Sequence, residues 1–228
     1  ASAPAMKLDQ ISFYGANVKR IEGGREAVTL ACQNFCLDQN IVYASHNLSP
    51  YFIEGTKTFS YELSNQLDPP PEHILFPVGN GSLLIGTWKA YAELTSTSPR
   101  SKTPRLHGIQ SKACMPVISS FRGDPWSSPS QGISTVAGGI AVERPPRLHQ
   151  CLTAIMESGG TATAVTEKEI LLWQKRLAQY EGLFVEPTSA AALAGLALII
   201  EQGTIKREDG VLLPLTGFGL KDKITSGL

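Results

Sequence analysis

The chain has 228 residues, 42% of them hydrophobic and 18% charged, which suits one large or two small globular domains and excludes disorder as the default. Twenty Lys plus Arg offset twenty Asp plus Glu, so a nucleic-acid-coating protein or a polybasic membrane binder is not expected. The longest apolar run, residues 190–200, falls well short of the roughly 20 residues a membrane-spanning helix needs. No secretory pattern opens the sequence.

In chain order, the pattern alternates between strand and helix. Residues 17–22 read as a short strand, broken by Gly23-Gly24, and residues 25–37 as a helix. Residues 41–44 are a short β-rich run. Residues 56–67 read as a helix stopped by Pro69-Pro70-Pro71. The uninterrupted apolar run 74–78 has the mark of a strand covered on both faces. Gly79-Asn80-Gly81-Ser82 then leads into a helix over 83–94, and residues 105–110 form a further strand.

Residues 121–146 are rich in Pro, Ser and Gly and read as a long surface excursion, a type of loop that is often functional. Residues 148–157 return to helix, and the β-branched stretch 161–165 reads as a strand. Thr166-Glu167-Lys168-Glu169 is a capping box opening a helix through Tyr180. Pro187-Thr188-Ser189 starts an Ala-rich helix through Glu201, whose small residues predict burial against a sheet. Residues 211–215 are the last strand. The alternation predicts an α/β fold, an open twisted parallel sheet with helices on both faces.

Four cysteines are too sparse for a disulfide scaffold. Cys32 and Cys36 lack the partners a zinc site needs, and Cys114 and Cys151 stand alone. All four read as small buried apolar residues in a reducing compartment, here the cytoplasm. The histidines His46, His73, His107 and His149 form no metal-ligand spacing, so no metal is expected.

Three segments carry chemistry. The strand, Gly79-Asn80-Gly81-Ser82, helix arrangement offers free N–H groups at a helix start, an anion site with phosphate as its natural guest. Alone, it is equally a tight turn. It has no Gly-Lys-Ser/Thr ending, and Leu84 replaces the third glycine of a dinucleotide fingerprint. Thr216, ahead of Gly217-Phe218-Gly219, falls at the carboxyl end of the last strand, where α/β sheets bind ligands. Glu186-Pro187-Thr188-Ser189 gathers polar groups at the start of the buried helix, with a simple N-cap as its plainer reading.

Five motifs occur in one order. They are Glu54-Gly55-Thr56-Lys57-Thr58, Pro77-Val78-Gly79-Asn80-Gly81-Ser82, Glu157-Ser158-Gly159-Gly160-Thr161, Glu186-Pro187-Thr188-Ser189-Ala190-Ala191 and Thr216-Gly217-Phe218-Gly219-Leu220-Lys221-Asp222. The set resembles the threonine synthase family of pyridoxal-phosphate-dependent, fold type II enzymes, along nearly the whole chain. The resemblance implies two open α/β domains with the cofactor between them. It implies that Gly79, Asn80, Gly81 and Ser82 grip the cofactor phosphate and that the Thr216 hydroxyl faces the pyridine nitrogen. That neutral partner favours an unprotonated ring, a weaker electron sink than one paired with Asp. Glu186 matches a motif near the site without an assigned role.

The family's Schiff-base lysine lies in a Ser-x-Lys-Asp-Arg segment, which does not occur in this sequence. Lys57 and Lys89 fall in matched helices and read as solvated or salt-bridging. The resemblance therefore implies the C-terminal portion of such an enzyme, without its catalytic lysine and inactive alone. Residues 1–50 would be the remnant of the smaller domain and residues 51–228 the larger, cofactor-binding one. The implied activity converts O-phosphohomoserine and water to threonine and phosphate. A dehydratase, a cysteate synthase or a non-catalytic phosphate- or partner-binding chain are the alternatives. The implied partners are a small-molecule substrate, the N-terminal portion of the enzyme and a second copy in a homodimer.

Overall fold

The computed structural model describes residues 5–97, 102–130 and 132–221. Nine α-helices occur among them: α1 (Ala5–Phe13), α2 (Arg25–Asp38), α3 (Pro50–Thr56), α4 (Thr58–Gln66), α5 (Ser82–Thr97), α6 (Pro116–Arg122), α7 (Leu148–Glu157), α8 (Glu167–Glu181) and α9 (Pro187–Glu201). Four strands, β1 (His73–Pro77), β2 (Arg105–Ser111), β3 (Ala162–Val165) and β4 (Val211–Leu212), form one sheet in the order β3-β2-β1-β4. Every pairing is parallel. In the central pair His73 faces Arg105 and Pro77 faces Ile109.

Strand periodicity sends alternate side chains to opposite faces, and each face has its own core. Ile74 and Phe76 of β1 join Leu106 of β2 on one face, covered by Leu84, Ile85 and Tyr91 of α5, Ile118 of α6 and Ile155 of α7. Leu75, Ile109 and Val165 lie on the other, covered by Ile170 of α8 and by Ala190, Ala194 and Ile199 of α9. Each large aliphatic side chain so buried contributes about 1.5–3 kcal/mol. The run 74–78 is uniformly apolar because a doubly covered strand has no solvent face.

Several expected elements differ. Residues 17–22 and 41–44 are not strands; no strand among the described residues lies beside them, and Ile41 and Val42 are exposed. β-propensity without a ladder does not hold a segment extended. The helix expected over 56–67 is α4, which begins at Thr58, while Thr56 ends a separate helix, α3. The last strand ends at Leu212 because Pro214 cannot donate to a ladder. Helices α1, α3 and α6 were not expected. α1 has no buried residue, and α6 is only seven residues long. Cys32 is half-exposed, unlike the other three cysteines. Ala1 and its neighbours through Pro4, and Asp222 of the last motif, lie outside the described residues.

Ile53 of α3 is the first residue in chain order to enter either core; α1 and α2 contribute none among the described residues.

Candidate functional site

Parallel pairing of β1 with β2 and β4 sends their exits to the same edge of the sheet. At that edge β1 passes through Val78 into Gly79-Asn80-Gly81, and α5 begins at Ser82. Gly81 has φ +77, the left-handed region that favours glycine. A Cβ there would stand 2.1 Å from Cys151 Sγ of α7. At Gly79 a Cβ would stand 2.8 Å from the carbonyl oxygen of Gly139. The loop is thus enclosed by α7 below and by residues 139–142 alongside, and only glycine fits either position.

The carbonyls of Gly81 and Ser82 are engaged, while the N–H groups of the loop are not, among the described residues. The Gly81 carbonyl accepts from Ile85 N–H at 2.9 Å, starting the helical ladder. The Ser82 carbonyl accepts from Thr56 Oγ1 at 3.1 Å. Among the described residues, no protein group accepts from the N–H groups of Asn80, Gly81 or Ser82. Unpaired donors at the positive end of a 16-residue helix are of the kind a phosphate takes. The chemistry of this donor set fits the phosphate of pyridoxal phosphate.

Buried residues fix the loop from below. Gln110 donates Nε2–H to the Val78 carbonyl at 3.0 Å, and its Oε1 accepts from Val117 N–H at 3.0 Å and Ile118 N–H at 3.2 Å. One amide therefore joins the end of β1 to the start of α6. Burial pushes the Cys151 thiol up to about 12, so it packs as an apolar group beneath the loop. Gly86 lets α5 approach α3 closely enough that a Cβ would meet Thr56 Oγ1 at 2.1 Å.

The two matched-helix lysines are held by carboxylates. Lys57 Nζ lies 2.6 Å from Glu54 and 2.8 Å from Glu93, and Lys89 also pairs with Glu54. Hydrogen bonds from Lys57 and then Lys89 pull the Glu54 carboxyl down to about 2. Hydrogen bonds to Glu54 and then Glu93 hold the Lys57 ammonium above its ordinary range. Both lysines are ion-paired, as the sequence suggested.

Thr216 is exposed, four residues beyond β4 at the same carboxyl edge. The turn behind it is pinned to the start of α9. Gly217 N–H donates to Ser189 Oγ at 3.0 Å, and Glu186 N–H donates to the Gly217 carbonyl at 2.9 Å. The Glu186 carboxylate, unassigned from sequence, pairs with Lys7 of α1 at 3.1 Å. Sequence reasoning missed Gln110, Ser111 and Glu167. Their signal was a run of polar residues at the carboxyl ends of β2 and β3, where an apolar strand has no reason to carry them.

A doubly covered parallel sheet with an open-donor glycine loop at its carboxyl edge defines an α/β protein of the fold type II kind. Residues 1–217 match the family described as pyridoxal-phosphate dependent enzyme, and the chain belongs to that family. It is 36% identical to a threonine synthase of Methanosarcina acetivorans over 221 residues, 96% of this chain and 54% of that protein. It is 35% identical to a threonine synthase of Methanocaldococcus jannaschii over 95% of this chain and 54% of that one. The chain thus spans about half the length of these curated relatives. Among solved structures, maize serine racemase superposes with a TM-score of 0.77 at 22% identity, covering 96% of this chain and 63% of that one. Threonine deaminase isoform 2 from Solanum lycopersicum gives 0.75 at 19%, covering 95% and 57%. These superpositions share the fold.

Proposed function

We propose that this chain is the cofactor-binding portion of a threonine synthase, acting on O-phosphohomoserine and water to release threonine and phosphate. The observation that carries the reading is identity above one third to threonine synthases along nearly the whole chain. The solved deaminases, ammonia-lyase and racemases share the fold at 18–23% identity, which does not favour their reactions.

The N–H groups of Asn80, Gly81 and Ser82, aided by the Ser82 hydroxyl, hold the cofactor phosphate, with Gly79 giving the loop room. The Thr216 hydroxyl would offer the pyridine nitrogen a partner without a formal charge. Pyridoxal phosphate, when bound, withdraws electrons from the amino-acid carbon skeleton and eases proton removal there. Pinning of Gly217 by Ser189 and Glu186 orients Thr216. Residues 1–50 belong to a smaller domain and residues 51–228 to the larger one, with the ligand between them. A lysine outside the matched motifs would be needed to move protons, so the chain would work with a lysine-bearing segment. The assembly is cytoplasmic and pairs as a homodimer.

The test adds pyridoxal phosphate to the purified chain, follows binding by absorbance, then reduces with borohydride and maps adducts by mass spectrometry. Saturable binding without one stoichiometric lysine adduct, and no threonine formed from O-phosphohomoserine, is the expected result. A single adduct together with threonine production would show that the chain suffices for catalysis. No saturable binding would remove the cofactor-site reading.

A further inference from the structure

The long excursion after α6 returns to the sheet at residues 135–140, and one side chain receives it. Glu167, the first residue of α8, accepts from Thr135 Oγ1 at 2.9 and 3.1 Å and from Val136 N–H at 2.7 Å. It also accepts from Ser111 Oγ, at the end of β2, at 2.5 Å. Two of these donors carry the contact onward. Thr135 Oγ1 accepts from Ala137 N–H at 3.1 Å, and Ser111 Oγ accepts from Ala113 N–H at 3.0 Å. A carboxylate has room for four such bonds, and charge-assisted bonds are the stronger kind.

Two residues beyond this clasp, Gly139 stands against the glycine loop. Its carbonyl oxygen would be 2.8 Å from a Cβ at Gly79, and its N–H donates to Thr188 Oγ1 at 3.0 Å. Ala137 and Ile140, on either side, are buried in the core under α9. The helix does not need the Glu167 carboxylate for its own start. Thr166 and Glu169 form the complete capping box of α8.

We infer that Glu167 is a positioning residue: its carboxylate ties the returning excursion to the carboxyl ends of β2 and β3, and through residues 137–140 it holds the side wall of the phosphate loop. The consequence for cofactor affinity rests on the cofactor-site reading above; the clasp itself does not. Loss of the clasp leaves residues 139–142 free to move off Gly79, and the three open donors lose the wall that fixes their direction.

The experiment uses the purified chain and four variants: Glu167→Ala, Glu167→Gln, Thr135→Val and Thr166→Ala. Hydrogen exchange is followed at Val136, Ala137 and Gly139, and at Ile85, whose N–H bonds to the loop carbonyl of Gly81. Affinity for pyridoxal phosphate is measured in parallel. Glu167→Ala is expected to speed exchange at the three wall amides and to weaken cofactor binding by about tenfold each, roughly the loss of one charge-assisted bond. Glu167→Gln restores most of both, because an amide can accept from Val136 and donate to Ser111. Thr135→Val falls between them. Thr166→Ala, which weakens the helix start alone, moves neither readout.

Unchanged exchange at the wall in Glu167→Ala overturns the clasp. A freed wall with unchanged affinity overturns its link to the phosphate loop, as does an equal loss of affinity in Thr166→Ala. If the parent chain binds no pyridoxal phosphate, the cofactor reading fails separately, and Ile85 exchange in Glu167→Ala then decides whether wall and loop are coupled. If Glu167→Ala does not fold, Glu167→Gln and Thr135→Val give the same two readouts.

Discussion

Toward the amino ends of β1 and β2, two histidines are closed into the protein; at the carboxyl end of β1, three N–H groups meet no acceptor among the described residues. Thr161 N–H donates to His107 Nδ1 at 3.1 Å, which puts the His107 proton on Nε2. Nε2 then donates to His73 Nδ1 at 2.9 Å, and His73 Nε2 faces Asp209 Oδ2 at 3.4 Å. Each ring nitrogen has a partner, and His73 and His107 are both buried. The two rings so engaged tie β1, β2 and the Asp209 turn together. The other end keeps the N–H groups of Asn80, Gly81 and Ser82 open, the arrangement expected where an anion binds. With the proposed cofactor site, the same parallel sheet would carry structure at one end and recognition at the other, as open α/β sheets generally do.

The sharpest way to break this division is Gly81→Val. A non-glycine residue at φ +77 costs about 1–2 kcal/mol, and crowding against Cys151 adds a further 1–3 kcal/mol. A total loss of about 3 kcal/mol is expected in urea denaturation, with loss of pyridoxal phosphate binding. Adding Cys151→Ala should recover the crowding part but not the backbone part. Full recovery in the double variant would show that the left-handed conformation is unimportant.

An effect of comparable size but different origin is expected from the amino end. Burial first, then the charges of His73 and Arg105, hold the His107 imidazole down to about 4 from its ordinary 6.5. Between those values the unfolded chain binds the proton more readily than the folded one. Stability is therefore fully present above pH 6.5 and falls as the pH drops toward 4, by on the order of 3 kcal/mol. Denaturation midpoints from pH 7 to pH 4 read this directly. The same series on His107→Leu should lose most of that slope, and an unaltered slope would assign it to other groups.

The cores and the glycine loop were legible in the sequence because they depend on local signals. The apolar run 74–78 and the spaced glycines 79 and 81 state a buried strand and a turn without reference to anything distant. The same holds for the capping box at Thr166, formed as expected. What was not legible depends on partners far along the chain. Residues 17–22 have the composition of a strand, but a strand needs a neighbour. Gln110 looks like a stray polar residue until Val78 and the start of α6 are seen to converge on it. Glu167 reads as a first-turn acid favoured by the helix dipole, and its bonds reach back 31 to 56 positions. Glu186, likewise, meets Lys7 across 179 positions.

Gln110→Leu sharpens the comparison at the carboxyl end. The substitution removes a buried acceptor from Val117 and Ile118 N–H and a donor from the Val78 carbonyl. Leaving such groups unmet costs about 1–3 kcal/mol. A loss of about 2 kcal/mol is expected, and cofactor affinity should weaken with it because Val78 leads directly into the loop. Unchanged affinity would mean that the loop is fixed by α7 and residues 139–142 alone.

The smallest expected effect comes from Thr166→Ala, one residue from Glu167 and at the same end of the sheet. Thr166 Oγ1 accepts from Glu169 N–H at 3.2 Å, and the Glu169 carboxylate accepts from Thr166 N–H at 2.6 Å and from its hydroxyl at 2.7 Å. Removing an N-cap hydroxyl typically costs about 1 kcal/mol. The cost falls on the first turn of α8, whose buried Ile170 and Leu177 keep the helix on the sheet. Global stability should therefore drop by about 1 kcal/mol while cofactor affinity holds. Two adjacent residues would then differ in kind: one anchors a helix, and the other anchors a loop that walls the ligand site. A parallel fall in affinity for Thr166→Ala would mean that the start of α8 acts as one unit and that the boundary between structure and recognition lies further out along the excursion.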